Sequence, residues 1–245
     1  MKQSQAKKRD NAMTNKILMG LIALVLGLLF LEILIVHSKN EQQKNASNQV
    51  QTARIMANGD LLYHDGLYMS ALQSDGSYDF TENFTYVKPW LKQADLVLGD
   101  FEGTINPDYP LSGYPLFNAP QSVTAAIKDA GYDVMDLAHN HILDSGLEGA
   151  FTTADAFKKV GIDPIGVYEK PVRDKAPLLI KNVNGIKVAI LSYAYGYNGL
   201  ESNLTDKEVA DHLSNLDEKR MKSEIQRAEK EADITVIMPQ MGVEY

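Results

Sequence analysis

The sequence predicts an α/β fold whose functional site lies at the carboxyl ends of strands, behind one N-terminal transmembrane helix. An uninterrupted apolar run near the start is followed by a polar segment, and short apolar strands then alternate with amphipathic helical segments. Three of these strands end in turns that carry Asp, Asn or His. Because the carboxyl ends of parallel strands meet at one edge of a sheet, we expect these polar residues to share a rim.

The apolar run covers residues 17–36, and Glu32 is its only charged residue. A helix of about 20 residues crosses a hydrocarbon core of about 30 Å. Residues 1–16 form a basic segment, which predicts a single-pass anchor in the cell membrane with a cytoplasmic N-terminus and an extracellular C-terminal domain. A cleaved signal peptide is the alternative, but the run is longer than a usual signal core and no Ala-x-Ala site follows it. Residues 37–52 are polar, lack periodicity and predict a linker.

Composition narrows the function of the remaining domain, residues 53–245. The net charge is −8, and the basic N-terminal segment alone carries five basic residues against one acidic residue, so the rest of the chain carries about −12. So acidic a domain argues against nucleic-acid binding, which needs a basic surface. The chain has no cysteine. Disulfides, zinc–thiolate sites and cysteine nucleophiles are therefore excluded, and a metal would need Asp, Glu, Asn and His ligands.

Two predicted strands end in a Gly-Asp pair. Residues 53–60 form an apolar strand that ends at Asp60, and residues 95–98 form a buried strand that leads to Asp100. Glycine lets the backbone turn sharply while the carboxylate points towards a shared ion. One such pair is a weak signal, but two pairs together with polar residues at a third strand end are much less expected by chance.

That third strand end lies in residues 133–146, which hold the densest group of polar side chains. Alternating apolar residues predict a buried strand, and a polar corner with His139, Asn140 and His141 follows, with Asp144 shortly after. Asn offers a carbonyl oxygen and His a ring nitrogen, which suit a metal or a phosphate. A helix-capping turn with partly exposed histidines is the alternative interpretation.

Hydrophobic periodicity predicts the other elements. Asn184-Gly185, between two apolar runs, favours a type I′ hairpin turn. The Pro- and Tyr-rich segment 106–120 predicts an irregular loop that either supplies aromatic side chains to the site or only connects elements. The remaining predictions are a helix or loop at 81–92, helices at 121–130, 147–160 and 216–232, and strands at 162–168, within the hairpin 177–193 and at 232–245.

Four segments together resemble the CapA family of poly-gamma-glutamate capsule biosynthesis proteins, which is related to calcineurin-like metallophosphoesterases. They are GDLLYHD (59–65), GDFEGTI (99–105), LAHNHILDSG (137–146) and MGVEY (241–245), and they occur in family order and spacing. The resemblance covers residues 53–245. It implies a metallophosphoesterase-like sandwich of mixed β-sheets flanked by helices, with a membrane anchor in front.

The resemblance also implies roles for particular residues. Asp60 stands at the position of the first metal-binding Asp, and Asp100 at that of the carboxylate that bridges two metals, with Glu102 beside it. Asn140 matches the Asn ligand of the second metal. His141 matches the catalytic His that faces the phosphate and protonates a leaving group. The cofactors implied are divalent metal ions (Mn, Zn or Fe).

The sequence also departs from the family pattern. Leu62 occupies the position of the His in the Asp-x-His motif, Gln240 stands where many relatives have His, and the later Gly-x-His-x-His segment is missing because the chain stops at Tyr245. We therefore expect a domain that is incomplete at its C-terminus and an incomplete metal-ligand set. Further candidate site residues are His64, Glu102, His139, Asp144, Gln240 and Glu244.

Three functions follow as hypotheses. The first is an extracellular accessory protein in making or exporting poly-gamma-glutamate, whose partners are membrane-embedded synthetase components and, through bound cations, the anionic polymer itself. The second is an active metal-dependent hydrolase of phosphoesters or of the polymer's amide bonds. The third is a structural assembly module that has kept the fold and lost the chemistry.

Overall fold

The structure is a computed structural model that describes Met19, Leu24 and residues 27–39, 50–172 and 175–242. The chain divides into two compact units, Met1–Val50 and Gln51–Tyr245. In the first unit the described residues 27–39 are helical (α1), so the helix extends three residues into the predicted linker. Within the described part of the chain, no helix is both long and apolar enough to cross a membrane. Residues 17–26 of the predicted anchor, apart from Met19 and Leu24, lie outside the described residues.

The second unit contains a parallel sheet with the strand order β1-β2-β3-β4. The family resemblance implies mixed sheets, but in the described residues this sheet is entirely parallel. The segments between its strands return the chain to the same end of the sheet each time, so successive strands run in the same direction. Its strands are β1 (Ile55–Asp60), β2 (Leu96–Asp100), β3 (Val134–Asp136) and β4 (Asp163–Ile165).

A second sheet has the order β5-β6-β7 and is mixed, as predicted. Strands β5 (Leu179–Val183) and β6 (Ile186–Ala194) form an antiparallel hairpin, and β7 (Ile234–Gln240) runs parallel to β6. Asn184 and Gly185 have φ angles of 53° and 88°. Two positive φ angles in a row are what a type I′ turn requires, so the predicted hairpin is confirmed.

The two sheets pack face to face, and helices cover their outer faces. Alternate residues of β2 point to opposite sides: Leu96 and Leu98 meet Val188 and Ile190 of β6, whereas Val97 joins the core under the helices. The helices are α2 (Asp65–Ala71), α3 (Lys88–Leu91), α4 (Val123–Ala130), α5 (Gly146–Lys159), α6 (Asp206–His212) and α7 (Glu218–Glu231), with 3-10 turns at Thr81–Phe84 and Leu200–Asn203. The α/β prediction is thus confirmed.

Two of these helices were not predicted. The sequence favours a turn at Asp65-Gly66, but helix α2 begins at Asp65, and His64 precedes it as its N-cap residue. Helix α6 is preceded by a capping box in which Thr205 and Glu208 bond each other's backbone N–H groups. Both helices have only seven residues, too few for an apolar periodicity to be visible in the sequence.

Candidate functional site

Three aspartates end three neighbouring strands in one row. In the pairing register of the parallel sheet, Asp60 of β1 lies beside Asp100 of β2, and Asp100 lies beside Asp136 of β3. Neighbouring strands are about 4.8 Å apart, and residues in register point to the same side of the sheet. The row therefore gathers three carboxylates at the carboxyl edge, the position predicted for Asp60 and Asp100.

Two members of the row, Asp100 and Asp136, are buried, whereas Asp60 is exposed. Asp100 and Asp136 are 8% and 2% exposed. Burial, reinforced by the charges of Asp136, Asp60 and Glu102, raises the pKa of Asp100 from 3.8 to about 9. Burial also raises the pKa of Asp136 to about 8, although the Ala138 N–H, which donates to Asp136 Oδ1 over 2.8 Å, acts in the opposite direction. Carboxyl groups in such surroundings favour a proton or a cation.

The oxygen ligands of the carboxylate row suit a divalent cation, but the positions of the described side chains do not form a metal site. Asp100 Oδ1 is buried and has no hydrogen-bond partner among the described residues, which leaves an oxygen available to a cation. Yet in the described ranges no three His, Asp or Glu side chains come together closely enough to hold a metal ion. The described part of the chain thus offers oxygen ligands without a complete ligand set.

A cavity of about 440 Å³ lies against the row and reaches Gln240 at the end of β7. Its lining includes Asp60, Asp100 and Asp136 on one side and Met238 to Met241 on the other. Gln240, which the sequence analysis names as a candidate site residue, therefore lines the same cavity as the three aspartates. Glu244, another candidate site residue, lies outside the described residues.

The loop after β3 supplies the other half of the site. Apolar Leu137, Ile142 and Leu143 are buried and fix the loop to the core. The loop turns tightly, because the backbone N–H groups of Ile142 and Asp144 donate to the carbonyls of His139 and His141. Gly166 packs against the start of the loop with a φ of 93°, and a Cβ there would lie 2.6 Å from the Ala138 nitrogen.

His141 and Asp144 form a buried pair within this loop. Their side chains are 5% and 1% exposed, and His141 Nδ1 lies 2.8 Å from Asp144 Oδ2. The Phe117 backbone N–H also donates to Asp144 Oδ2 over 2.6 Å. The Phe117 ring meets the His141 ring edge-on, with centroids 4.8 Å apart. The loop 106–120 thus supplies an aromatic side chain, Phe117, to the site, which is the first of the two roles predicted for it.

The other ring nitrogen of His141 faces polar groups. His141 Nε2 lies 3.8 Å from Glu102 Oε1 and 3.4 Å from Asn198 Nδ2. Asn198 also accepts a hydrogen bond from Asn140 Nδ2 over 3.2 Å. A histidine held on one side by a carboxylate and presenting its second nitrogen to polar groups can take up or release a proton at Nε2.

Two further histidines make local backbone contacts. His139 is fully buried, its Nδ1 accepts from the His141 backbone N–H over 3.1 Å, and burial lowers its pKa to about 3. It is therefore neutral and holds the turn. The His64 side chain is 54% exposed and accepts from the Asp65 backbone N–H over 2.8 Å. Its ring contacts the Phe117 ring, which also contacts His141.

The structure adds two residues that the sequence analysis did not name as site residues. Asp136 lies inside the predicted strand, and its place beside Asp100 follows only from the strand register. Asn198 follows β6 in a short loop and has a φ of 54°, an uncommon value outside glycine. An Asn-Gly pair at 198–199 signals a turn in the sequence, but nothing in it links that turn to His141.

Comparison with known proteins places this site in a family. Residues 54–245 match the family model of the bacterial capsule synthesis protein PGA_cap. The chain is 30% identical to the capsule biosynthesis protein CapA of Bacillus anthracis over 171 residues, which is 66% of this chain and 41% of that protein. It is 25% identical to the PGA biosynthesis protein CapA of Bacillus subtilis over 241 residues, which is 97% of this chain and 61% of that protein. The chain thus spans less than two thirds of the length of either relative.

A solved structure shares the fold. A chain described as a 5′-nucleotidase from Staphylococcus aureus superposes with a TM-score of 0.50 at 15% identity, covering 78% of this chain and 38% of that one. At this identity the likeness concerns the fold alone. Because the family model matches residues 54–245, far more than half of the chain, the family predicted from the sequence is confirmed, and the chain belongs to the bacterial capsule synthesis proteins.

Proposed function

We propose that the chain is an accessory protein in the biosynthesis or export of a poly-gamma-glutamate capsule. The observation that carries this proposal is the match to the B. subtilis PGA biosynthesis protein over 97% of this chain. The match includes the residues before the family domain as well as the domain itself. A shared arrangement of N-terminal segment and domain favours a shared role over a fold reused for other chemistry.

In this proposal the N-terminal apolar run anchors the chain in the cell membrane as a single span, and the domain faces the outside. The basic residues before the run support this orientation, since positive charge is retained on the cytoplasmic side. The partners would be membrane-embedded components of the poly-gamma-glutamate synthetase. The chain outside the basic segment carries about −12, so direct contact with the anionic polymer would need bound cations at the carboxylate row.

The test uses the source bacterium with the gene deleted and then restored. Polymer output is measured as glutamate released by acid hydrolysis of cell-surface material. We expect deletion to abolish output, the complete chain to restore it, and a chain without residues 1–36 to fail. As a matched control, those residues are replaced by an unrelated single-pass anchor with the same orientation, which should restore output if the segment only tethers the domain.

Unchanged polymer output in the deletion strain would overturn the capsule role. Restoration by the chain that lacks residues 1–36 would overturn the anchored placement alone, because the domain would then work without a membrane tether. The two parts of the proposal are therefore separated by one set of strains.

A second function, hydrolysis of a phosphoester or an amide bond, is favoured by the buried pair of His141 and Asp144. His141 Nε2 would deliver a proton to a leaving group while Asp144 holds the ring. Divalent cations at the carboxylate row would supply Lewis acidity if the ligand set were completed. The test is turnover of a chromogenic phosphodiester by the purified chain with Mn²⁺. Activity that disappears in both Asp100→Asn and His141→Ala would establish hydrolysis, and activity that survives both would exclude this site.

A further inference from the structure

Gln240 and Asn140 face each other through two hydrogen bonds. The Asn140 backbone N–H donates to Gln240 Oε1 over 2.8 Å, and Gln240 Nε2 donates to Asn140 Oδ1. Gln240 stands at the end of β7, and Asn140 stands in the loop after β3. The pair therefore closes a small ring of hydrogen bonds between the two sheets, on the loop side of the cavity that holds the carboxylate row.

The orientation of these amides follows from donor and acceptor rules. A backbone N–H can only donate, so the group of Gln240 that faces the Asn140 nitrogen must be its oxygen, and its NH₂ must face Asn140 Oδ1. The NH₂ of Asn140 then donates to Asn198 Oδ1. The NH₂ of Asn198 is left to donate to His141 Nε2.

The opposite end of this chain of bonds gives the same answer independently. Asp144 Oδ2 already accepts from the Phe117 backbone N–H, so it serves as an acceptor, and His141 Nδ1 carries the hydrogen that faces it. A neutral imidazole with a hydrogen on Nδ1 has a lone pair on Nε2, which is what the Asn198 NH₂ requires. From Gln240 to Asp144 every bond therefore runs in one consistent direction.

We propose that Gln240 is a positioning residue that competes with cations for the side-chain oxygen of Asn140. Of the two side-chain groups of an asparagine amide, only the carbonyl oxygen has a lone pair for a metal, because the NH₂ group is a donor. In this structure that oxygen receives the Gln240 NH₂. The Gln240 NH₂ occupies one of the two lone pairs of that oxygen and competes with a cation for it, so Asn140 is a weaker cation ligand while Gln240 is in place.

This contact weakens a ligand set that already lacks a histidine at positions 62 and 240. A histidine at position 240 would offer a ring nitrogen to the same cation as Asn140, whereas the glutamine offers a donor that competes with the cation for Asn140 Oδ1. The site thus keeps Asn140 and His141 in the loop, while a donor from β7 faces the Asn140 oxygen.

The first test is calorimetric titration of Mn²⁺ into the complete chain in detergent. Removing the competing donor in Gln240→Ala should raise Mn²⁺ affinity about tenfold. Loss of a supporting contact to a metal ligand lowers affinity by about this factor or more, and the sign is opposite here because Gln240 competes with the cation. Gln240→Met keeps the side-chain length without a donor and should give the same gain, which covers the case in which the alanine variant folds poorly. Gln93→Ala is the matched control and should change nothing, because among the described residues the exposed Gln93 amide donates only to the Pro89 carbonyl.

The gain must also depend on Asn140. In the double variant Gln240→Ala with Asn140→Ala, affinity should return to the wild-type value, because the released oxygen is gone. Equal or weaker Mn²⁺ binding in both Gln240 variants, or no measurable binding in any variant, would overturn the proposal. Weaker binding would mean that Gln240 is itself a ligand.

A second test observes the ring of His141 directly. Nitrogen NMR of histidine-labelled protein, assigned against His141→Phe and recorded where the imidazole is neutral, should show the hydrogen on Nδ1. A hydrogen on Nε2 would overturn the direction of the bond chain. Neither test measures polymer output or turnover, so this inference can fail while the proposed function holds, and the reverse.

Discussion

The two halves of the site satisfy their polar groups in different ways. In the loop half, Asn140 and His141 bond to partners on both sides, and those partners are uncharged amides or a carboxylate matched to a donor. In the strand half, acids face acids: Asp100 lies between Asp60 and Asp136, and its Oδ1 has no partner among the described residues.

The difference shows which half of the site is held by the protein's own hydrogen bonds and which half needs protons or a cation from solution. In the loop half, amides and a carboxylate fix one another within a few residues and across to β7, although Asp144 Oδ1 and His139 Nε2 are buried without a hydrogen-bond partner among the described residues. The strand half places two buried carboxyl groups beside each other and beside the exposed Asp60, and the buried pair is stable only with protons or a cation. The comparison therefore predicts that the strand half responds to pH and metal, whereas the loop half responds to loss of its own side chains.

The largest effect is expected from pH on metal-free protein. The folded-state pKa values of Asp100 and Asp136, about 9 and about 8, lie above the ordinary 3.8, so the folded protein keeps protons that the unfolded chain releases. Stability is therefore fully present below about pH 4 and is lost as pH rises through both folded-state values. Each of these two retained protons changes the free energy of unfolding by about 1.4 kcal/mol per pH unit, so we expect a loss of several kcal/mol between about pH 5 and about pH 8.

Urea unfolding in EDTA, followed by circular dichroism, measures this loss. Asp100→Asn is the matched control, because it keeps the shape and removes the carboxyl with the higher pKa, and it should flatten the dependence. Saturating Mn²⁺ should flatten it as well if the row binds a cation. Stability that rises with pH over this range would contradict the burial of protonated carboxyls.

A smaller effect is expected in the loop half from Asp144→Ala. The carboxylate accepts from both the Phe117 N–H and His141 Nδ1, and these donors would stay buried without a partner. Such a loss costs about 3 kcal/mol. The measurement is again urea unfolding, at a fixed pH.

Asp155→Ala is the comparison for this substitution, since Asp155 is half-exposed on α5 and pairs only with Lys158 at the surface. It should change stability by less than about 0.5 kcal/mol. If Asp144→Ala and Asp155→Ala lower the free energy of unfolding equally, the contacts of Asp144 do not stabilise the loop half.

The sequence predicts those parts of the molecule that depend on local patterns. The positions of Asp60 and Asp100 at strand ends follow from apolar runs that stop at Gly-Asp, and the hairpin follows from Asn184-Gly185. The family and the α/β fold follow from several such segments in order. The anchor, the extracellular placement and the partners remain predictions.

What the sequence misses depends on contacts distant in the chain. Asp136 joins the row because β3 pairs with β2 in a particular register, and register is set by packing of the whole sheet. Asn198 reaches His141 across 57 positions. The parallel character of the first sheet and the pairing of Gln240 with Asn140 over 100 positions are likewise products of the assembled fold.

The smallest effect is expected at His64, which the sequence places close to the Asp-x-His position of the family. In the structure His64 caps α2, is half-exposed and contacts neither half of the site except through the Phe117 ring. His64→Ala should therefore lower the free energy of unfolding by about 0.5 kcal/mol, the lower end for loss of a capping contact. It should leave Mn²⁺ affinity within about twofold of wild type, because substitutions that disturb a metal's ligands lower affinity about tenfold or more. Calorimetry and urea unfolding of the same sample measure both quantities. A tenfold loss of Mn²⁺ affinity would show that His64 turns into the site when a cation binds, and the comparison of the two halves would then have to include a third, mobile ligand.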